Sequence, residues 1–254
     1  MEFTIDDNTD EKLVEEICNS FPQDMEENPE LITFMSLCVL KFENYEIEPA
    51  IKRLGRYLKW RRRVFGDVKD HSLTDAVLAR QIATCFIQVC PIRCANGEAF
   101  IYMEPSRHDP STYSSLQTVK CCHYMMLTSL KKDPRLCQTG SIVLINVSNI
   151  GLKNVDLGVP PIMIDVVDCM PLKLIHGIIY DPPTPIRLVM PVVMAILPDH
   201  LKGRIHVVVD LVTELNELGI PITMKQLPVV LGGQWKGFTC EEQRLLYTYM
   251  NATA

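Results

Sequence analysis

The sequence predicts an α/β protein in which a helical amino-terminal module precedes a mostly parallel β-sheet. Two observations support this fold class. Apolar residues recur at helical spacing through the first 65 residues or so, and beyond them short apolar runs typical of strands alternate with helical segments. We therefore expect two domains, residues 1–70 and residues 71–254.

The helical module is predicted from three segments with helical spacing, and Gly66 ends the last of them. The second and third segments each open with a proline, which suits the first turn of a helix. The three segments are Leu13–Cys18, Pro29–Leu40 and Pro49–Phe65.

The second domain begins with Ser72 and Asp75, which are spaced as in a capping box and open a helix or an extended segment that runs through Val89. Strands and helices then alternate, which favours mostly parallel strand pairing. In chain order the predicted elements are a strand in AFIYME, a helix over Ser111–Lys132, a strand in SIVLINV, a helix over Pro160–Cys169, a strand in LKLIHGIIY, a helix over Thr184–His200 and a strand in RIHVVVD.

The composition is that of an ordinary globular protein, with 47% apolar and 22% charged residues over 254 positions. The acidic amino terminus carries no apolar core of signal-peptide length, so we expect a cytoplasmic protein. The longest uncharged apolar run, Leu188 to Pro198, is about half the roughly 20 residues of a spanning helix, and Pro191 interrupts it. The sequence therefore predicts no transmembrane segment.

The ten cysteines are scattered and lack the paired spacing of a zinc site, so we expect reduced, mostly buried thiols and no metal. The phosphate-loop, dinucleotide, nucleophile-elbow and HExxH motifs are absent, so neither a cofactor nor an enzyme activity is expected.

The net charge of −6 conceals a basic stretch, Lys52 to Arg63. It is either a patch for an anionic surface or, the interpretation we favour, a solvated helix face paired with the acidic segment before Leu31. No nucleic acid partner is expected.

The segment Thr184 to His200 is apolar on nearly every side, although a surface helix normally reserves one face for solvent. It is either a helix packed within a large core, or the lid of an apolar container that touches a lipid when closed and a bilayer interface when open. Pro191 removes one backbone hydrogen bond and predicts a kink at its middle. The pattern alone leaves both interpretations open.

From Leu37 onward the chain resembles the CRAL-TRIO family of cytosolic lipid-transfer proteins, within it the branch of the alpha-tocopherol transfer protein and the cellular retinaldehyde-binding protein. Four stretches carry the resemblance in the right order and spacing. They are LCVLKFENYEIEPAIKRLGRYLKWR, IYMEPSRHDPSTY, MPLKLIHGIIYDPP and LPVVLGG. The resemblance implies a helical first module, a mixed sheet that encloses one lipid, and a mobile gate helix in the segment after DPP.

Position by position, the resemblance implies a lipid pocket and a membrane contact. The implied lipid-binding residues are Tyr102, Cys122, Met126, Val143, Ile145, Ile162, Val166, Leu172, Ile179, Leu188, Val189, Val192 and Val193. The implied contacts to an anionic, phosphoinositide-containing membrane surface are Lys173, Lys202 and Arg204, whereas Ile175 replaces one basic member. For each apolar residue the alternative is ordinary core packing, and for each basic residue it is surface solvation.

Departures from the family narrow the expected cargo. Members that carry phosphatidylinositol place a glutamate and a lysine where this chain has Leu172 and Met190, and the pocket serines of the tocopherol carrier correspond to Cys122 and Met126. Burying an unpaired headgroup charge would cost too much. We therefore expect a more hydrophobic lipid of isoprenoid, retinoid, tocopherol-like, sterol-like or carotenoid type.

Three functions remain in competition at this point. The first is passive transfer of one apolar lipid between membranes. The second is a lipid-sensing adaptor that regulates a protein partner through the acidic segment before Leu31. The third is an esterase or isomerase that acts on a hydrophobic substrate through Cys122 or His123.

Overall fold

The computed structural model describes residues 8–66 and 76–245, and within them the helices and strands divide between two compact units. One unit comprises Met1–His71 with Asp165–Leu172, and the other comprises Ser72–Ile164 with Lys173–Ala254. The expected boundary at residue 70 and the predicted cap at Ser72 and Asp75 lie outside the described residues.

Among its described residues, the first unit contains four complete helices and the carboxyl-terminal end of a further one, and it has a core of its own. Arg62 at the carboxyl end of its longest helix pairs with Asp24 at 2.8 Å and with Glu27 at 3.7 Å, in agreement with the favoured interpretation of the basic stretch. The helices are α1 (Asn8–Asn19), α2 (Pro22–Glu27), α3 (Pro29–Phe42) and α4 (Ile47–Phe65). The largest fully buried apolar side chains of the unit are Tyr57, Ile17, Leu31, Ile32, Met35, Leu37, Leu40, Leu54 and Leu58.

Among the described residues of the second unit, five strands form one sheet in the order β1-β2-β3-β4-β5. β1 is antiparallel to β2, and β2 through β5 are parallel. The strands are β1 (Ile87–Val89), β2 (Ala99–Met103), β3 (Ser141–Asn146), β4 (Leu174–Tyr180) and β5 (Ile205–Val208). The connecting helices are α5 (Ala76–Ile82), α6 (Ser115–Lys132), α7 (Leu136–Thr139), α8 (Val159–Cys169), α9 (Thr184–Ile196) and α10 (Asp199–Lys202), and α11 (Leu211–Glu217) follows the sheet.

The strand order determines which face of the sheet the helices cover. Every parallel strand pairs with the next one along the chain, so each crossover moves in the same direction across the sheet. Because such crossovers are right-handed, α6, α8 and α9 lie on one face. Cys122 on α6 and Met163 on α8 accordingly share a cluster with Ile101 and Val143. We call this side the helical face.

The opposite face of the sheet is covered by the segment that follows β5. Phe100, Ile142 and Ile178 project to this side and pack with Leu215 and Trp235. We call it the carboxyl-terminal face. It is a closed core, because these five side chains are all buried.

Two predicted helix ends differ from the structure for local reasons. α6 begins at Ser115 and not at Ser111, because the Ser114 side chain accepts from the Gln117 backbone amide while the Gln117 side chain accepts from the Ser114 amide. α9 ends at Ile196 and not at His200. Leu197 precedes a proline, which disfavours helical backbone, and it is extended.

Candidate functional site

The apolar segment after β4 forms helix α9. The chain leaves β4 through Asp181, Pro182 and Pro183, and the Arg187 side chain donates from Nε to the Pro182 carbonyl oxygen at 2.6 Å. Pro185 lies in the first turn, where the missing amide costs little, but Pro191 lies inside the helix. The turn thus anchors the start of α9, and Pro191 interrupts the backbone hydrogen bonding at its middle.

The apolar surface of α9 is largely unburied. Of its thirteen residues, all of them described, Ile186 alone is buried. Val189 and Val193 are partly buried, whereas Leu188 and Val192 are 76% and 59% exposed. Full burial of an aliphatic side chain of this size is worth about 1.5–3 kcal/mol. Within the described ranges, the helix therefore leaves several kcal/mol of apolar surface without a partner.

The sheet presents a matching apolar surface on the helical face. Side chains alternate along a strand, so Val143, Ile145, Ile179, Ile205 and Val207 share this face across β3, β4 and β5. None of these five described side chains is buried, and Val207 is 48% exposed. The carboxyl-terminal face of the same three strands, by contrast, buries Ile142, Leu144, Ile178 and Val208.

The structure brings together several of the residues that the resemblance assigned to the pocket. Cys122 and Met126 on α6 pack in one cluster with Val143 on β3. Ile145 and Ile179 are paired neighbours on β3 and β4 and lie on the same face as Val143. These residues therefore lie on the helical face, the side of the sheet to which the right-handed crossovers also assign α9.

Tyr102, which the resemblance also assigned to the pocket, lies on the other side of the sheet from that group. It projects to the carboxyl-terminal face, where its ring lies 6.4 Å from the ring of Trp235. Its hydroxyl accepts a hydrogen bond from Nδ2 of Asn146 at 3.0 Å. Tyr102 therefore contributes to the closed core.

The remaining apolar residues of the predicted pocket are more dispersed. Ile162 on α8 is partly buried, whereas Val166 and Leu172 are buried and belong to the helical unit. On α9, Val189 and Val193 lie on the less exposed side, and Leu188 and Val192 lie on the outer side. The sequence reasoning missed Ile205 and Val207, although their alternation in RIHVVVD could have indicated them.

The three basic residues predicted for membrane contact differ in their surroundings. Lys173 is exposed. Lys202 donates to the Asp199 carboxylate at 2.8 Å, and Arg204 donates from Nη1 to the Leu174 carbonyl oxygen at 2.7 Å. Arg204 thus links β5 to β4, and its guanidinium is partly engaged within the sheet.

The Cys122 environment argues against nucleophilic chemistry. Burial raises the pKa of the Cys122 thiol to about 12, so the thiolate is scarce at neutral pH. Cys122 is fully enclosed, as is His123 beside it. Among the described residues no group of three or more His, Cys, Asp or Glu side chains is arranged to hold a metal ion. The site can therefore offer apolar contact but no activated thiol.

Comparison with known proteins identifies the fold. A family model described as the CRAL/TRIO domain matches residues 67–233. The chain belongs to the CRAL/TRIO family. The crystal structure of Sfh5 is similar at 11% identity, covering 100% of both chains with a TM-score of 0.53, a likeness that concerns the fold alone. No curated protein matches.

As a CRAL/TRIO domain, the second unit is a lipid-binding module, and the expected α/β architecture with amino-terminal helices is confirmed. Among the described residues, each helix is too short or too polar to cross a bilayer.

Proposed function

We propose that this CRAL/TRIO protein binds one small hydrophobic lipid between α9 and the helical face of β3–β5 and exchanges it with membranes. The observation that carries the proposal is the pairing of two incompletely buried apolar surfaces. α9 buries one of its thirteen described residues, and β3–β5 leave five aliphatic side chains partly uncovered on the helical face. An apolar molecule between them would contact both surfaces.

The need for such a carrier follows from the cost of moving a lipid through water. At about 0.8 kcal/mol per CH₂, a fourteen-carbon lipid exposes roughly 11 kcal/mol of unfavourable surface when it leaves a bilayer. A binding chamber as apolar as the bilayer interior removes most of that cost, so the free energy of moving the lipid from the membrane to the protein is close to zero. Opening of α9 then limits the rate.

The cargo we propose is an apolar isoprenoid, retinoid, tocopherol-like, sterol-like or carotenoid lipid and not phosphatidylinositol. Leu172 and Met190 stand where carriers of phosphatidylinositol place a glutamate and a lysine. The five side chains named above on the helical face of β3–β5 are all aliphatic. A charged headgroup there would lose its hydration without gaining a partner.

Transient membrane contact is part of the proposal. Leu188, Val192 and Ile196 lie four residues apart on the outer side of α9, and all three are exposed. Lys173 and Lys202 supply positive charge for an anionic surface containing phosphoinositides. The protein would act at the cytoplasmic face of membranes as a peripheral protein.

The experiment has two steps. The purified chain is first extracted with organic solvent, and the co-purified molecule is identified by mass spectrometry, with one apolar molecule per chain expected. Transfer from donor to acceptor vesicles is then measured with fluorescent analogues of tocopherol, of a sterol and of phosphatidylinositol. We expect transfer of an apolar analogue and none of phosphatidylinositol above the protein-free rate.

A matched pair of variants tests the location. Val193→Asp places a charge on the less exposed side of α9 and should slow transfer about ten-fold or more, because an unpaired buried carboxylate is costly. Val230→Asp, at a residue 70% exposed in the segment after α11, is the control and should transfer normally. Equal lipid transfer rates for both variants would show that α9 does not form part of the lipid site.

The lipid-sensing adaptor is the alternative outcome of the same measurement. A sensor would bind an apolar lipid with the same stoichiometry but retain it throughout the transfer assay. If the chain bound the lipid normally but retained it throughout the assay, the result would favour the adaptor function over the carrier function.

A further inference from the structure

Two cysteines from distant parts of the chain lie together beside β1. Cys85 is in the turn between α5 and β1 and is buried, whereas Cys240, in the segment after α11, is exposed. Their thiols interact directly, because Cys240 is a hydrogen-bond partner of the Cys85 side chain. One thiol of the pair can therefore meet an oxidant in solution while it touches a second thiol that is closed to solvent.

Gln88 on β1 connects the two cysteine segments. Its Nε2 donates to the Cys85 carbonyl oxygen at 3.2 Å, and its Oε1 accepts from the Phe238 amide at 2.7 Å. Phe238 is two residues before Cys240. The same buried side chain thus binds the backbone of one cysteine and the approach to the other.

Gln243 makes the corresponding connection on the other side of Cys240. Its Nε2 donates to the carbonyl oxygens of Ile82 and Ile87 at 3.0 and 2.9 Å. These two carbonyl groups lie on either side of Cys85 in the sequence. The segment that carries Cys240 is therefore anchored to the Cys85 turn both before and after the cysteine, which keeps the two thiols in contact.

The backbone at Cys85 is fixed as well. Its φ of +56° is in the left-handed region, which few residues other than glycine adopt. Such a conformation persists where the surrounding structure determines it, and the Cys85 amide also donates to the Ile82 carbonyl oxygen at 3.0 Å. The position of the Cys85 side chain is thus set by the fold.

The two thiols differ in reactivity. Burial raises the pKa of Cys85 to about 12, Cys240 and Glu242 add to the increase, and Arg107 opposes it. The Cys85 thiolate is therefore scarce, and Cys85 is not the thiol that an oxidant attacks first. Exposure makes Cys240 the first target.

We infer that Cys240 is a site of reversible oxidation by peroxides and that Cys85 resolves the oxidised form as an intramolecular disulfide. Hydrogen peroxide converts the Cys240 thiol to a sulfenic acid and releases one water. The sulfur of Cys85 then attacks the sulfenic sulfur, so the S–S bond forms as the S–O bond breaks, and the hydroxyl group leaves with the Cys85 proton as a second water. The two thiols together give two electrons to one peroxide. This inference does not depend on the proposed lipid site.

The disulfide would join the segment after α11 covalently to the turn between α5 and β1. Because Cys85 and Cys240 are far apart in the sequence, the bond closes a long loop and restricts the unfolded chain. The oxidised protein should therefore unfold at a higher temperature than the reduced protein, and a reductant should reverse the shift.

Peptide mapping of the full chain tests the bond. The reduced protein is treated with one equivalent of hydrogen peroxide, the remaining thiols are alkylated under denaturing conditions, and the digest is analysed by mass spectrometry without reduction. We expect one link, between Cys85 and Cys240 of the same chain, so that two of the ten thiols are lost and eight are alkylated. Unlinked Cys240, or a link between the Cys240 residues of two chains, would overturn the inference.

A matched pair of variants tests the resolving role. In Cys85→Ala the sulfenic acid on Cys240 has no partner, so labelling of Cys240 by dimedone should increase about ten-fold over the wild-type chain. Cys90→Ala removes another buried thiol whose pKa is raised by burial, directly after β1, and should leave labelling at the wild-type level. Equal labelling of both variants would show that Cys85 does not resolve the oxidised cysteine. Should Cys85→Ala fail to fold, the peptide map of the wild-type chain decides alone.

Discussion

Nδ1 of His176 lies 3.1 Å from Nε2 of His206, across the junction of the parallel strands β4 and β5. Such a contact needs one nitrogen to donate and the other to accept, so it cannot persist when both rings are protonated. Burial lowers the pKa of His176, and the neighbouring His206 and Arg204 lower it further, against an opposing effect of Glu98.

Stability should therefore fall in mild acid. The folded pKa of His176 lies below the ordinary 6.5, so the unfolded state binds the proton more readily, and the free energy of unfolding decreases as the pH falls below about 6.5. Urea unfolding between pH 7.5 and 5 measures this dependence. His176→Gln should flatten it, and His200→Gln, at an exposed position, should not. An unchanged slope in His176→Gln would contradict the prediction.

Gly233, in the paired glycines of LPVVLGG, should tolerate no side chain. A Cβ there would fall on the carbonyl group of Leu227, which is backbone and also accepts from the Trp235 amide at 3.0 Å. We expect Gly233→Ala to lower the free energy of unfolding by more than about 2 kcal/mol.

Gly203→Ala is the matched control for Gly233→Ala. Gly203 has helical backbone, and a Cβ there meets no atom within 4 Å among the described residues. The substitution should stabilise by about 0.4–1 kcal/mol, because alanine loses less conformational freedom on folding. Denaturant midpoints of the two variants should move in opposite directions. Similar shifts would show that the contact at Leu227 is unimportant.

Pro191 should set how readily α9 opens. Pro191→Ala restores a helix amide, and an interior proline costs about 3 kcal/mol, so the second half of α9 should gain protection from hydrogen exchange. If opening limits lipid exchange, vesicle transfer should slow several-fold. Pro185→Ala, in the first turn, should change neither measurement. If Pro191→Ala increased hydrogen-exchange protection but left vesicle transfer unaltered, the stability of α9 would not limit the rate of lipid exchange.

The thiols should react in two classes. Nine of the ten cysteines, all within the described ranges, are buried, and Cys240 is exposed. Burial raises the pKa of several of them, to about 12 for Cys94, Cys122 and Cys169. The native protein should react rapidly with one equivalent of a thiol reagent, and the denatured protein with ten. Cys240→Ser should abolish the fast phase, and a fast phase of two or more equivalents would contradict the burial.

The sheet could be predicted from the sequence because β3 and β4 are apolar runs bounded by turns, and helical periodicity separates them. β1 was not distinguished from a helix because it is three residues long and follows α5 after a short turn. α2, a six-residue acidic helix, offers no apolar period. Such short elements are stabilised by contacts with residues distant in the sequence, so the local sequence pattern does not indicate them.

The candidate site was predicted less completely. The sequence does not indicate on which face of the sheet Tyr102 lies, because Ala99 through Tyr102 are all buried and alternation along β2 gives no contrast between the two sides.

The sequential strand order has a consequence for how the protein is made. Strands β2 to β5 leave the ribosome in the order in which they lie side by side, so each new strand meets a neighbour that has already been synthesised. The sheet is therefore extended at one edge only, and α9 is synthesised just before β5. The most apolar helix of the domain is thus exposed to solvent for only a short interval before β5 completes the sheet.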